Sequence, residues 1–422
     1  MLDIKYIREN LDRCVKGARD KNFKVDFQEV LTLDDQMRSL RMDLEKLQNQ
    51  RNEASKAIAK ADPATRETLK TQVAALKPDM ERLKTELTAV EATFSDLMLR
   101  LPAPARADVP VGKDDTENVE VKKWGEPRKF DFPIKDHAEL GSKLGIIDIE
   151  RGVKLAGSRS YFLVGDGALL EQAVMRFVYE KLYKKGYTPY SIPVLVKDDA
   201  MTGTGYFPLG REQAYYVEKD ELSLVGTSEV ALTSIYSDEI LNAEDLPIRV
   251  MAQSSCFRRE AGTYGKDTQG LYRVHQFQKI EQVIVGIADE KDSEQLHAEL
   301  LQNAEEILQA LSLPYRVVYV CTGDLGQGQV RKHDIETWMP SRKNYGETHS
   351  CSTFHDFQAR RLKMRYKDKS GEKRICHTLN NTAIASPRIL IPLLENHQNA
   401  DGTISIPECL QPYMGGRKKI GG

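Results

Sequence analysis

Residues 33–58, LDDQMRSLRMDLEKLQNQRNEASKAI, decide the fold of the first quarter of this 422-residue chain. Steps of four and three residues separate the seam positions, which are Leu33, Met37, Leu40, Leu44, Leu47, Arg51, Ala54 and Ile58. A second ladder with the same steps contains Leu69, Val73, Leu76, Met80, Leu83, Leu87, Val90, Phe94, Leu97 and Leu101. Such spacing keeps one helix face toward a partner helix. Because a proline-containing break at residues 61–65 separates the ladders, we predict an antiparallel helical hairpin over residues 28–101, about 40–50 Å long.

Basic side chains cluster near the break between the two ladders. They are Arg51, Lys56, Lys60, Arg66 and Lys70. A basic tip on a rigid arm suits contact with nucleic-acid phosphates, which requires positive charge and no particular base sequence. A mixed-charge surface is also the ordinary solvated face of a coiled coil. The pattern therefore leaves two interpretations, a nucleic-acid-binding arm and an oligomerisation strut.

The overall composition describes an ordinary globular protein with more than one domain. Hydrophobic residues make up 40% and charged residues 29%, and the formal net charge is −2. A charge so close to zero gives no general attraction to a polyanion, so local patches would have to bind one. No run of about 18 apolar residues is present, which predicts no membrane span. The six cysteines are scattered without a Cys-x-x-Cys pair, which is typical of a reducing cytoplasm.

Beyond a polar linker at residues 108–127, apolar β-type runs alternate with helical stretches. The predicted strands include residues 160–164, 279–285 and 315–320, and the predicted helices include residues 168–184 and 293–311. Unequal spacing between strands indicates an α+β fold with a mostly antiparallel sheet. We therefore divide the chain into a helical domain over residues 1–102 and a second domain over residues 103–422. The glycine motifs of Rossmann and P-loop nucleotide sites are absent from the sequence.

The densest chemistry lies in residues 256–281, CFRREAGTYGKDTQGLYRVHQFQKIE. Apolar flanks enclose a polar, glycine-rich segment, which predicts two strands joined by a long loop. Arg258 and Arg273 would then lie near opposite ends of the loop, with Phe277 beyond it. Guanidinium groups bind phosphate oxygens in a bidentate manner, and an aromatic ring can stack on a base. This segment therefore predicts a nucleotide site.

The same segment resembles the second motif of the class II aminoacyl-tRNA synthetases. Residues 378–396 resemble the third motif, with Arg388 near the start of a helix, and residues 167–193 resemble the first, which implies a helix and a strand at a dimer interface. Two further strings, VGTSEV at 225–230 and ETHSCSTFHDFQARR at 347–361, are similar to the seryl branch, as is the N-terminal hairpin. The chain is thus identified as a member of the bacterial-type seryl-tRNA synthetase family.

This resemblance implies an enzyme that activates L-serine with ATP and transfers it to tRNA(Ser), and also to tRNA(Sec). It implies a cytoplasmic homodimer with no membrane association. The basic tip of the hairpin would bind the tRNA. The class II catalytic domain would be an antiparallel sheet that holds ATP, serine and Mg²⁺.

The resemblance also assigns residues. The catalytic ones would be Arg258, Arg273 and Arg388. ATP would contact Arg258, Arg259, Glu260, Arg273, Phe277, Glu347, Thr348, His349, Ser350 and Arg388, and Mg²⁺ would bind Glu347 and Ser350. Serine would contact Thr227, Ser228, Glu229, Arg258, Glu281 and Thr382. Within these sets, the imidazole of His349 is expected to be a packing residue, because the serine carboxylate attacks phosphorus without a general base.

Departures from the family pattern leave alternatives open. Many relatives carry Ser at the position of Thr382 and Ala at that of Ser228, and residues 348–349 also differ from the usual pattern. One alternative is an enzyme that loads the amino acid onto a carrier protein. Another is a non-catalytic RNA-binding protein built on the synthetase fold. A third is a specialised duplicate enzyme that tolerates a serine-mimicking inhibitor.

Overall fold

The computed structural model describes residues 1–262 and 270–421, so the centre of the loop predicted within residues 256–281 lies outside the described residues. The chain separates into two compact units. The N-terminal unit comprises Leu2–Arg19 and Phe23–Pro102. The C-terminal unit comprises Met1, Asp20–Asn22 and Ala103–Gly422.

Two long helices form most of the N-terminal unit. Its helices are α1 (Ile4–Glu9), α2 (Leu11–Asp20), α3 (Phe27–Ile58) and α4 (Pro63–Arg100). Asp26 caps α3 by accepting hydrogen bonds from two backbone amides of its first turn, and Asp62 caps α4 in the same way. Pro63 occupies the first position of α4, where no backbone donor is needed. Because α3 ends at Ile58 and α4 begins at Pro63, the turn between them lies at the break predicted from the sequence.

The predicted seam is the buried face of the hairpin. Met37 and Leu40 of α3 pack with Leu83 and Val90 of α4, and partly buried side chains extend this cluster on both sides. Every other ladder position is at least partly buried except Arg51, which is exposed. The heptad interpretation of a helical hairpin is therefore confirmed.

An eight-stranded sheet organises the described part of the C-terminal unit. Its strands lie in the order β1-β11-β12-β13-β16-β10-β9-β4, and all neighbours are antiparallel except β4 and β9. The strands of the unit are β1 (Val119–Trp124), β2 (Ile147–Asp148), β3 (Phe162–Leu163), β4 (Thr188–Tyr190), β5 (Leu195–Lys197), β6 (Tyr216–Val217), β7 (Leu222–Leu224), β8 (Ile240–Asn242), β9 (Ile248–Phe257), β10 (Gln276–Gly286), β11 (Tyr315–Tyr319), β12 (Arg331–Met339), β13 (Asn344–His355), β14 (Arg365–Lys367), β15 (Lys373–Ile375), β16 (His377–Ser386), β17 (Ile404–Ser405) and β18 (Lys419–Ile420). This mostly antiparallel sheet confirms the predicted fold class.

Helices pack against this sheet through apolar faces. The helices of the unit are α5 (His137–Lys143), α6 (Ile149–Ala156), α7 (Asp166–Lys184), α8 (Asp198–Thr204), α9 (Glu229–Ser234), α10 (Glu290–Ala310), α11 (Phe357–Arg361) and α12 (Leu390–Asn396). In α10, Leu296, Leu300, Ala304, Ile307 and Leu308 recur at helical spacing and are buried in the main core. Their burial leaves the opposite face of the central strands available for a site.

One predicted strand is much shorter than expected. The apolar run at residues 160–164 contains only the two-residue strand Phe162–Leu163, and the side chain of Phe162 is exposed. The runs near residues 279–285 and 315–320 do form strands, β10 and β11. Within the described residues, no helix has both the length and the apolar character that crossing a membrane requires.

Candidate active site

A cavity of about 340 Å³ opens on the central strands of the sheet. Successive side chains of a strand point to opposite faces, so residues two apart share a face. On β10 this alternation brings Phe277, Lys279 and Glu281 to the cavity. The neighbouring β16 contributes Thr382, which lies opposite Glu281 in the strand register. On the other side of β16, β13 contributes residues 347–350.

The cavity brings together twelve of the fifteen predicted ATP- and serine-site residues. They are Glu229, Arg258, Glu260, Arg273, Phe277, Glu281, Glu347, Thr348, His349, Ser350, Thr382 and Arg388. Thr227, Ser228 and Arg259 do not line it. Ser228 is fully buried and donates to the carbonyl of Ala252, and Arg259 is exposed and donates to the carbonyl of Glu212.

Arg388 and Glu347 form one end of the cavity. Arg388 Nη1 lies 3.8 Å from Glu347 Oε2 and donates to the Glu347 carbonyl at 3.0 Å. The guanidinium also lies 4.4 Å from the centre of the Tyr272 ring, a cation–π contact that fixes its plane. Desolvation favours the neutral acid of Glu347, but Arg388, Lys332 and other nearby cations outweigh it and hold its pKa below the usual value. This end therefore presents an ionised carboxylate among cations.

Two further arginines surround the middle of the cavity. The Arg258 guanidinium lies 5.2 Å from the centre of the Phe277 ring. Arg273 Nη1 donates to Glu260 Oε2 at 2.8 Å, so these two predicted ATP ligands are paired with each other here. Glu260 has a φ of 53°, in the left-handed region that a glutamate rarely adopts. Backbone strain of this kind is often found at ligand-binding positions.

A buried acid, Glu281, also lines the cavity. The side chain of Glu281 is 2% exposed, and its Oε2 forms an ion pair with Lys279, which is 7% exposed. Thr227 Oγ1 also approaches Oε2, at 3.5 Å. Burial raises the pKa of Glu281, and Lys279 opposes that shift.

Glu229 is held from both sides by hydrogen bonds. Tyr206 donates its hydroxyl to Oε2 at 2.7 Å, and Gln358 Nε2 donates to Oε1 at 2.8 Å. Gln358 in turn accepts a hydrogen bond from the Thr378 hydroxyl at 2.6 Å. Because each oxygen of the carboxylate accepts a hydrogen bond from a different side chain, Glu229 is fixed in place.

His349 is placed for packing. Its Nε2 contacts the carbonyl of Ala383 at 3.0 Å, and its Nδ1 contacts the Thr348 hydroxyl at 2.9 Å. Burial lowers the pKa of His349 to about 4. A neutral ring with both nitrogens engaged agrees with the predicted packing role. The described residues contain no group of three His, Cys, Asp or Glu side chains arranged to hold a metal ion.

Sequence reasoning missed several cavity residues. Lys279 and Lys332 each lie two positions before an acid on the same strand face, Glu281 and Asp334, and that spacing was a usable signal. Lys21 does not itself line the cavity but supports residues that do, and the sequence gave no signal for it. It is buried, and its Nζ donates to the carbonyls of Gly326 and Gln329, two residues that line the cavity, at 3.0 and 2.5 Å. Burial lowers the pKa of Lys21 to about 7.

Comparison with protein families agrees with this geometry. Residues 215–397 match the tRNA synthetase class II core domain (G, H, P, S and T). Residues 1–104 match the seryl-tRNA synthetase N-terminal domain. The fold and the cavity therefore define a class II aminoacyl-tRNA synthetase.

Full-length relatives narrow this class. The serine--tRNA ligase of Deinococcus radiodurans is 46% identical over 421 residues, spanning 100% of this chain and 99% of that protein. The crystal structure of seryl-tRNA synthetase from Pyrococcus horikoshii complexed with ATP has a TM-score of 0.91 at 35% identity, covering 100% of this chain and 99% of that one. The cytoplasmic serine-tRNA ligase of Naegleria fowleri in complex with AMP has a TM-score of 0.87 at 31% identity, covering 100% and 98%. The chain belongs to the seryl-tRNA synthetase family.

Proposed function

We propose that the chain activates L-serine with ATP and transfers it to the 3′ end of serine tRNA. The serine carboxylate attacks the α-phosphorus, pyrophosphate leaves, and a hydroxyl of the terminal ribose of tRNA then displaces AMP. The observation that carries the proposal is the convergence of the predicted ATP and serine ligands on one cavity. Since the substrate supplies the nucleophile, the protein contributes positioning and charge stabilisation.

The arginines and the aromatic ring bind the nucleotide in this proposal. Arg258 bridges the serine carboxylate and the α-phosphate. Phe277 and Arg388 hold the adenine between them, and Arg273 binds the γ-phosphate. Glu260 accepts from the adenine amino group after it separates from Arg273, its present partner. The ion pair between Glu260 and Arg273 thus keeps both groups oriented toward the cavity before ATP binds.

Serine selection follows from the buried acids. Glu281 and Thr382 bind the serine hydroxyl, while Thr227 and Glu229 bind the amino group. The support for this assignment is the position of Glu281, which is buried, lines the cavity and lies opposite Thr382 in the strand register. An amino acid that lacks the hydroxyl would not supply Glu281 with this hydrogen-bond donor, and a site of this kind can reject such an analogue by a factor of about 10⁴–10⁵.

Magnesium fits the phosphate end of the cavity. Glu347 stays ionised there, and Ser350 offers a hydroxyl oxygen on the same strand. Mg²⁺ is usually held by one or two carboxylates together with substrate phosphates, so two protein ligands are enough. Bound there, the ion would offset phosphate charge. Since Arg258, Arg273 and Arg388 already make the surroundings positive, we expect Mg²⁺ to bind together with ATP.

The helical hairpin binds the tRNA in this proposal. Its tip carries five basic side chains, all exposed: Arg51, Lys56, Lys60, Arg66 and Lys70. The ion pairs of Lys56 with Glu53 and of Lys70 with Glu67 are 3.9 and 3.3 Å long and solvated. Such pairs contribute little, so phosphates can replace them. The partners would be tRNA(Ser) and tRNA(Sec), whose recognition by phosphate contacts does not depend on base sequence.

An exposed apolar surface supports a homodimer. Side chains between residues 153 and 195 remain exposed to solvent although they are apolar: Val153, Leu155, Phe162, Val164, Leu169 and Leu195. Leu155 is 75% exposed. Apolar surface of this kind is typical of an interaction site, and the segment includes the region that resembles the first class II motif. A cytoplasmic location is supported by the free thiols of all six cysteines.

Pyrophosphate exchange with each of the twenty amino acids tests this function. The full-length protein should exchange pyrophosphate into ATP with serine and not with alanine, threonine or cysteine. Exchange with another amino acid, or none at all, would contradict the proposal. Transfer of serine to a carrier protein with no transfer to tRNA would instead select the carrier-loading alternative. Absence of ATP binding by calorimetry would select the non-catalytic one.

A further inference from the structure

A buried hydrogen-bond chain lies behind the cavity and contains no predicted site residue. It connects Glu395 of α12, His137 at the start of α5, and the backbone of Leu271. The side chain of Glu395 is 0% exposed, and that of His137 is 10% exposed. Neither side chain lines the cavity.

The contacts fix the tautomer of the imidazole. The backbone amide of Leu271 donates to His137 Nε2 at 3.1 Å, so this nitrogen carries no proton. Nδ1 therefore carries the proton and donates to Glu395 Oε1 at 3.0 Å. The carboxylate also accepts from the His137 amide at 3.1 Å and from the amide and hydroxyl of Ser341, both at 2.9 Å. With four donors, Glu395 is a rigid anchor for the ring.

The backbone next to Leu271 leaves room for the imidazole ring of His137. Gly270 has a φ of +71°, and a Cβ atom there would lie 2.3 Å from His137 Nε2. Any side chain at this position would therefore displace the imidazole. Leu271 is fully buried, and its amide donates to the imidazole, so loss of this acceptor would leave a buried donor unpaired.

The hydrogen-bond chain connects two parts of the proposed ATP site. Glu395 lies seven residues after Arg388, in the helix that follows it, and Leu271 lies two residues before Arg273. Arg388 also donates from Nε to the carbonyl of Tyr272 at 3.0 Å. The backbone from 271 to 273 is thus held by an imidazole on one side and a guanidinium on the other.

We propose that His137 is a positioning residue for ATP, which sets the place of Arg273 relative to Arg388 by holding the Leu271 amide. This inference rests on the proposed function. It predicts a specific effect on ATP, because Glu281 and Glu229 are held by other contacts. Loss of the acceptor should therefore leave the serine subsite in place.

Two substitutions at one position separate this role from simple packing. His137→Leu removes the acceptor, and we expect the KM for ATP to rise about tenfold, with the KM for serine changed less than twofold. His137→Gln keeps a carbonyl oxygen that can accept from Leu271, and it should restore most of the ATP affinity. His397→Gln is the matched control, since His397 also contacts a backbone group, the carbonyl of Leu311 at 2.9 Å, and we expect no change in either KM.

Pyrophosphate exchange and ATP calorimetry without serine provide the readouts. Equal increases of both KM values in His137→Leu, or a His137→Gln variant as impaired as His137→Leu, would overturn the inference. If His137→Leu does not fold, Gly270→Ala takes its place, and an unchanged KM for ATP in that variant would also overturn it. A wild-type protein without serine-dependent exchange would instead refute the proposed function, which distinguishes the two failures.

Discussion

The tip of the helical hairpin and the cavity of the C-terminal unit carry comparable numbers of charged side chains in opposite environments. At the tip, Lys56 and Glu53 are 79% and 80% exposed and 3.9 Å apart. In the cavity, Lys279 and Glu281 are 7% and 2% exposed and in direct contact. Water and salt screen the exposed pair. The buried pair has lost its hydration, so each of its charges depends mainly on the other. We therefore expect each cavity charge to matter alone and the tip charges to matter as a group.

The largest effect of a single substitution should come from Arg258→Ala. Arg258 is the guanidinium assigned to the reacting α-phosphate, and it lies beside Phe277 in the cavity. Loss of a donor to developing charge usually lowers kcat by a factor of about 10²–10³. Serine-dependent pyrophosphate exchange measures this directly. Turnover near that of the wild type would remove Arg258 from the chemistry.

The next largest effect should come from acid, which should destabilise the C-terminal unit more than the hairpin. All eight histidines lie between residues 137 and 397, and burial lowers the pKa of His333, His349 and His377 to about 4. In the unfolded chain these rings bind protons below about pH 6.5. The contribution of these histidines to stability should therefore fall as the pH drops from about 6.5 to 4 and level off below 4, with at most about 3 kcal/mol lost per histidine.

Tryptophan fluorescence can follow this loss in the C-terminal unit, because both tryptophans, Trp124 and Trp338, lie there. Hydrogen exchange of peptides from residues 33–101 reports on the hairpin, which has no histidine. Between pH 7 and pH 4.5, the free energy of unfolding that fluorescence reports for the C-terminal unit should fall more than the one that hydrogen exchange reports for the hairpin. His333→Gln should lose less than the wild type over the same interval. Equal acid sensitivity of the two units would argue against buried histidines as the cause.

A smaller effect is expected from Lys279→Met. Without Lys279, burial favours the protonated form of Glu281, which is a weaker acceptor than the carboxylate for the serine hydroxyl that we propose it binds. The kcat/KM for serine should fall by about 10- to 100-fold, as for the loss of a hydrogen bond to a charged group. Because burial raises the pKa of Glu281 and Lys279 opposes that shift, the loss should grow as the pH is lowered.

Lys279→Arg serves as the control, since it retains the positive charge, and it should keep most of the activity. The KM for ATP should change little in either variant. A Lys279→Met enzyme with the serine kinetics of the wild type would show that Glu281 needs no counter-charge.

The smallest effect should come from single substitutions at the tip. Lys56→Ala should raise the KM for tRNA about twofold, because one exposed charge contributes less than about 1 kcal/mol. Replacement of Arg51, Lys56, Lys60, Arg66 and Lys70 together should weaken binding much more and reduce its salt dependence. Aminoacylation at several salt concentrations measures both. A single substitution that abolished charging would show that the tip reads a specific feature.

The hairpin and the cavity also differ in how much of their structure could be predicted from the sequence. The hairpin depends on local spacing, so the ladders located its buried face and its turn. Asp62 and Pro63 give the start of α4 in the sequence itself. The apolar run at residues 160–164 has strand composition but only a two-residue strand, because composition does not report pairing. Local patterns therefore predict elements well when the partner is the neighbouring segment.

The cavity depends on contacts between distant residues. Resemblance to known motifs identified Arg258, Glu281 and Arg388, but spacing gave no sign that Gln358 holds Glu229, 129 residues away. The contact of His137 with Leu271 spans 134 residues. A polar side chain buried by the fold is recognised as such only when the groups around it are known.

Removal of the hairpin tests most directly the claim that the two units divide the work. A protein lacking residues Gln28–Leu101, shown to be folded by its tryptophan fluorescence, is assayed for pyrophosphate exchange and for tRNA charging. We expect serine-dependent exchange near the wild-type rate together with loss of tRNA charging. Loss of exchange in the folded protein, or charging at the wild-type rate, would contradict it.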